Sequence, residues 1–228
     1  MISRLTDTDM AAKRCVIFDF DGTLADTKPT IVRTATRVLT EWGIDSAVIA
    51  ARVDELIGPP FPEAFSWIFG VSAADADEIT RRYRDIYLHL GAEAWPLFAG
   101  AHELLKDLRA QGRLVAVASS KAQPTVEMGI RDNDALDCFD LVCGKRPGIC
   151  DTKAEAISEV MRELGCAPQE CIMVGDRYHD VEGAREAGLP CIGVLFGNTA
   201  TRAELEDAGA VAVVDTMDEL RELFALSA

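Results

Sequence analysis

No apolar run in this 228-residue chain reaches the roughly 18 residues that a membrane-spanning helix needs, and the stretch from Met1 to Asp7 lacks the apolar centre of a secretory signal. A cytoplasmic location with no membrane partner is expected. Positive charge is also scarce: 23 Lys and Arg stand against 38 Asp and Glu, a formal net charge of −15. Such a surface repels a nucleic-acid backbone, so an anionic small substrate would need a local cluster of cations or a metal ion. The seven cysteines include no C-x-x-C pair. An odd number lying partly in apolar runs reads as reduced, buried thiols rather than as a disulfide or zinc framework. His179 has no zinc-ligand spacing to His89 or His102, which leaves it a structural or substrate-edge role. No G-x-G-x-x-G or G-K-[ST] loop follows a strand, and no G-x-S-x-G is present, which argues against dinucleotide, Walker-type nucleotide and serine-hydrolase chemistry.

What is present is a strand that ends in acids. Cys15-Val-Ile-Phe18 has the β-branched and aromatic residues of a strand covered on both faces, and Asp19, Phe20, Asp21, Gly22 and Thr23 follow it. In open α/β sheets ligands bind beyond the carboxyl ends of strands. Asp19 and Asp21, two apart, start on one face, and like charges that close call for a hard cation or a shared proton. The same residues would also serve a turn with two solvated acids.

Residues 1–13 read as a loose extension. A helix is predicted over Thr27 to Trp42, where Ile31, Ala35, Val38, Leu39 and Trp42 recur at helical spacing before Gly43. From 44 to 95 the pattern is helical and strand-poor, broken by Gly58-Pro59-Pro60, which predicts an all-helical insert. Beyond it, strands at 114–118, 140–143, 171–174, 191–195 and 211–214 alternate with helices, the pattern of β-α-β units and a parallel sheet.

Three later strand ends carry polar residues. Ser119-Ser120-Lys121 offers hydroxyls that can meet an anionic oxygen or cap a helix. Thr152-Lys153-Ala154-Glu155 is a capping box, and its first-turn Lys153 opposes the helix dipole unless an anion binds there; an exposed lysine would also tolerate the position. Gly175-Asp176-Arg177-Tyr178-His179-Asp180 repeats the opening pattern, so Asp19, Asp176 and a backbone carbonyl could complete an oxygen-rich Mg2+ site if the two strands are neighbours.

These residues, in this order, resemble the haloacid dehalogenase superfamily of phosphohydrolases, and within it the phosphoglycolate phosphatase-like group. D-F-D-G-T-L at 19–24 is similar to the first motif, Ser119 to the second, Lys153 to the third and G-D-R-x-x-D at 175–180 to the fourth; Ile57-Gly58-Pro59-Pro60 and Phe98-Ala99-Gly100 are similar to stretches of that group. The resemblance implies an α/β fold: a Rossmann-like parallel core over 14–28 and 95–228, with a small helical cap inserted after the first strand, over 29–94. It implies Asp19 as nucleophile and Asp21 as acid/base, with Mg2+ held by Asp19, the Asp21 carbonyl and Asp176. Gly22, Ser119, Ser120 and Lys153 would receive the phosphate, supported by Thr23, Arg177 and Asp180, with Lys121 and Lys145 as alternatives to Lys153. Asp180 would orient the metal's water shell or Lys153. Arg177 replaces the small or acidic residue frequent after the fourth-motif Asp.

The implied activity is a Mg2+-dependent phosphatase acting on a small phosphorylated metabolite, phosphoglycolate by default, in a monomer or homodimer. A phosphomutase similar to β-phosphoglucomutase, a nucleotidase, a pyrophosphatase or a ligand-binding regulator on the same scaffold are the alternatives. Opening and closing of the cap is expected to exclude water from the aspartyl-phosphate.

Overall fold

The computed structural model of the protein describes Met10 and residues 13–225. The chain divides into two compact units, Thr27–Pro96 and the remainder on either side of it. The insert is thus two residues wider at each end than the expected 29–94. Of the expected N-terminal extension, most lies outside the described residues. Met10 and Lys13 are buried, and Lys13 Nζ donates to the Gln169 carbonyl at 2.7 Å.

The larger unit is built on a six-stranded, all-parallel sheet in the order β3-β2-β1-β4-β5-β6. Its strands are β1 (Cys15–Phe18), β2 (Leu114–Ala122), β3 (Leu141–Lys145), β4 (Cys171–Gly175), β5 (Cys191–Val194) and β6 (Ala212–Val214). Every residue of β1 and β4 is buried, as continuous apolar strands in the middle of a two-faced sheet require. The register pairs Phe18 with Val117 on one side and Val174 on the other, which brings Asp19, the end of β2 and Asp176 to one edge of the sheet.

The strand bounds differ from expectation by one or two residues, except at β2. The strand expected to stop at Ala118 runs on to Ala122, because the chain rejoins β3 through an Ala122–Lys145 pairing after an irregularity beyond Ala118. Ser119, Ser120 and Lys121 are therefore extended residues of β2, not the start of a helix. Ser119 is consequently no helix cap.

The smaller unit holds four α-helices: α1 (Lys28–Trp42), α2 (Ser46–Arg52), α3 (Glu63–Phe69) and α4 (Ala73–Tyr87). Gly43 ends α1 in the left-handed conformation that its position in the sequence anticipates. The unit's core is aromatic: Tyr83 and Tyr87 stack at 5.2 Å, Trp95 meets the Tyr87 ring edge-on at 5.5 Å, and the Tyr87 hydroxyl donates to the Ala94 carbonyl at 3.0 Å. In the larger unit the sheet is flanked by α5 (Ala101–Ala110), α6 (Gln123–Asp132), α7 (Lys153–Leu164), α8 (Tyr178–Glu186), α9 (Arg202–Ala208) and α10 (Met217–Leu223).

Candidate active site

Asp19 follows the last residue of β1, and its backbone N–H still donates to Val174 of β4 at 2.9 Å. Its carboxylate accepts from the Phe20 N–H at 2.7 Å, which fixes the side chain where the strand ends. From the other side comes Lys153, the first residue of α7, placed there by the capping box that Thr152 and Glu155 form. Its ammonium lies 3.0 Å from Asp19 and 2.8 Å from Asp180, and donates to the Ala118 carbonyl at 3.0 Å. A buried cation needs such partners. Burial pushes the ammonium down, but Asp180 and Asp19 more than offset it and hold Lys153 above the usual lysine range.

Asp176, one residue past β4, is buried. It accepts hydrogen bonds from Thr23 Oγ1 at 2.9 Å and from Thr199 Oγ1. Gly22 makes this approach possible. It has φ +72°, and a Cβ there would fall 2.2 Å from the nearer Asp176 oxygen. Asp180 is drawn in by the start of α8, where the Arg177 N–H donates to its Oδ2 at 3.0 Å.

One oxygen from each of Asp19, Asp176 and Asp180 lies within 4.8 Å of the others. Burial raises the Asp19 pKa to about 6, against the pull of Lys153 and with the help of Asp180 and Asp21. Burial, Asp180 and Asp19 likewise hold Asp176 well above the carboxylate range, although Thr199 and Thr23 pull it down. Three carboxylates facing one lysine leave an uncompensated negative charge, and their donors are all oxygen. That is the set a hard divalent cation takes.

Asp21 is separate from this group in its side-chain contacts. Its two carboxylate oxygens lie 2.8 and 2.9 Å from Lys121 Nζ, so Lys121 holds the second acid while Lys153 holds the first. Lys145 is exposed at the end of β3. Ser119 is buried, its Oγ accepting from the Lys121 N–H at 3.3 Å, whereas Ser120 is exposed. The Arg177 side chain is paired with Glu204 at 3.0 Å, and its backbone N–H donates to Asp180. The His179 ring packs on Tyr178 at 3.8 Å, and burial with the neighbouring Arg177 pushes its pKa down.

Thr199 is the site residue that sequence reasoning missed. It lies in the loop after β5, and nothing in its local pattern marks it. The neighbouring Gly197 has the signal in three dimensions, since a Cβ there would fall 2.3 Å from the Gly22 carbonyl.

Comparison with known proteins places this arrangement among relatives. Residues 16–194 match the family model described as haloacid dehalogenase-like hydrolase. The chain is 36% identical over 185 residues to a 5'-nucleotidase of Pseudomonas aeruginosa, covering 80% of this chain and 82% of that protein. It is 34% identical over 213 residues to the tyrosine-protein kinase PtkA of Mycobacterium bovis, covering 91% and 71%. A predicted phosphatase from Clostridium acetobutylicum has a similar structure, with a TM-score of 0.80, 29% identity and coverage of 92% and 97%.

Proposed function

This chain belongs to the haloacid dehalogenase-like hydrolase family and acts on phosphate esters, and we propose that it is a Mg2+-dependent phosphatase working through an aspartyl-phosphate at Asp19. The observation that carries this reading is the Asp19–Lys153–Asp180 cluster beside Asp176, in which all but Asp19 are buried. Asp19 and Asp176, with the Asp21 carbonyl, would hold Mg2+, which would neutralise charge on the phosphoryl oxygens, while Asp180, whose two oxygens face Lys153 and the Arg177 N–H, orients Lys153.

An Asp19 carboxylate oxygen attacks phosphorus in line, and the bond from phosphorus to the ester oxygen breaks. Asp21 gives a proton to the leaving oxygen. The same group then takes a proton from water as that water attacks the phosphorus of the acyl phosphate, releasing phosphate and restoring Asp19. Lys121 keeps the Asp21 carboxylate in place between these steps, and Lys153 holds Asp19 by its other contacts. Ser119, with the backbone N–H groups that follow Asp19, receives the phosphoryl oxygens.

The substrate is a small phosphorylated metabolite. Phosphoglycolate is the first candidate, and a nucleoside 5'-monophosphate the second, favoured by the similarity to a 5'-nucleotidase. Asp19→Asn is expected to abolish Mg2+-dependent hydrolysis of an aryl phosphate; retained activity would overturn the assignment. A phosphate-release screen across both substrate classes then separates them by kcat/KM.

A further inference from the structure

At the opposite end of the two central strands lies a second cluster, made of sulfur. Cys15 opens β1 and Cys171 opens β4, and the register sets them side by side. Cys166 joins them from the turn after α7, where Gly165 ends the helix in the left-handed conformation. The three sulfurs lie within 4.8 Å of one another, and all three residues are buried in the core that Ile157, Val160 and Met161 of α7 complete. Cys15 is four residues before Asp19 on one strand, about 13 Å away at strand rise, so the cluster is separate from the acids.

Two cations flank the sulfurs. The Arg14 guanidinium donates to Cys166 Sγ at 3.1 Å. Lys13, anchored on the Gln169 carbonyl at 2.7 Å, pulls the Cys171 thiol toward its charged form. The larger pull on Cys171 is the hydrogen bond from Cys15, followed by burial acting the other way and then the bond from Cys166. The hydrogen bond with Cys171, burial and the Cys171 charge push the Cys15 thiol up, so in the empty site the trio shares its protons, and a bound cation would have to displace them.

We propose that Cys15, Cys166 and Cys171 form a trigonal thiolate site for a soft monovalent ion, Cu(I). Thiolate donors select soft ions, and three sulfurs buried without a fourth donor in the group suit a three-coordinate ion better than tetrahedral Zn2+. On binding, three S–H bonds break, three Cu–S bonds form and three protons leave, with no change of oxidation state. The complex carries two negative charges, and the Arg14 guanidinium, which donates to Cys166 Sγ and also lies 3.6 Å from Glu170, offsets part of them.

The test is an anaerobic titration of the full, reduced chain with Cu(I) in competition with a chromogenic Cu(I) chelator. X-ray absorption of the loaded protein accompanies it. The expected result is one equivalent taken up, a shell of three sulfurs, an affinity that Cys166→Ala lowers at least tenfold, and no effect of Cys150→Ser in the separate Cys143–Cys150–Glu159 group. The Cys166→Ala variant should keep its aryl phosphatase activity, which shows it is folded. No uptake, nitrogen or oxygen in the shell, uptake insensitive to Cys166, or Zn2+ bound as tightly would each overturn the proposal. The shell measurement stands on the unaltered protein and does not depend on any variant folding.

Discussion

Lys153 shows what a single residue contributes here. It is buried, and its charge is the direct partner of Asp19 and Asp180. Replacing it with Met leaves the buried Asp180 and the partly buried Asp19 without their cation, a situation that costs about 3 kcal/mol. We predict a matching fall in Tm for Lys153→Met in chelator, and a smaller fall for the Lys153→Met/Asp180→Asn double variant, read by thermal melting. An equal or larger fall in the double variant would show that the pair does not act as a unit. Lys121 works on the other acid. Lys121→Met should lower kcat by about 10²-fold, the scale of one acid/base contribution, with KM for an aryl phosphate changed far less.

These two lysines also mark the limit of what the sequence makes legible at this scale. In the sequence Lys121 and Lys145 lie beside expected strand ends, and only a helix-start position favours Lys153 over them. Which acid each lysine meets depends on contacts across 100 residues for Lys121, which no local pattern encodes. Arg177 is the same case: its side chain pairs with Glu204, 27 residues away, which no local pattern encodes.

At the scale of elements, strand ends and helix starts do the positioning. The apolar run Cys15–Phe18 and its counterpart Cys171–Gly175 announce buried strands, and their acid tips announce a site. Their adjacency comes from sheet order, which the alternation of strands and helices implies only in part. The extension of β2 to Ala122 was not legible, because pairing with Lys145 rather than strand propensity decides it. The capping box of α7 aims Lys153, so Thr152→Ala should cost about 1 kcal/mol of stability, as loss of a helix cap does, and reduce kcat through the displaced ammonium. Urea unfolding and aryl phosphate kinetics check the two effects. Gly22→Ala puts a methyl group on the Asp176 carboxylate at positive φ. Loss of Mg2+-dependent activity is expected, with a lower Tm; wild-type turnover would show that the loop yields freely.

For the whole molecule, the acid cluster makes stability depend on pH and cation. Asp19 titrates near 6 when folded, above the ordinary carboxylate value of about 4. The folded chain therefore binds more protons than the unfolded chain between those values, and in chelator its stability falls as pH rises through that window. Asp176, held up in the same direction, adds to the fall. Mg2+ competes with these protons, so its stabilising effect should grow with pH. The expected observation is a Mg2+-induced rise in Tm that is larger near neutrality than at about pH 5. A rise independent of pH would place the cation elsewhere. The net charge of −15 makes such local compensation necessary, since the surface as a whole does not attract an anionic substrate.

The most direct test of the central claim is to catch the covalent intermediate. The protein is mixed with Mg2+ and an aryl phosphate, quenched in acid during turnover, and treated with borohydride, which reduces an acyl phosphate to an alcohol. The account predicts homoserine at position 19 by peptide sequencing, and none when Mg2+ or substrate is left out. Homoserine at position 21, or an unmodified Asp19 in a protein that is turning over, would contradict it.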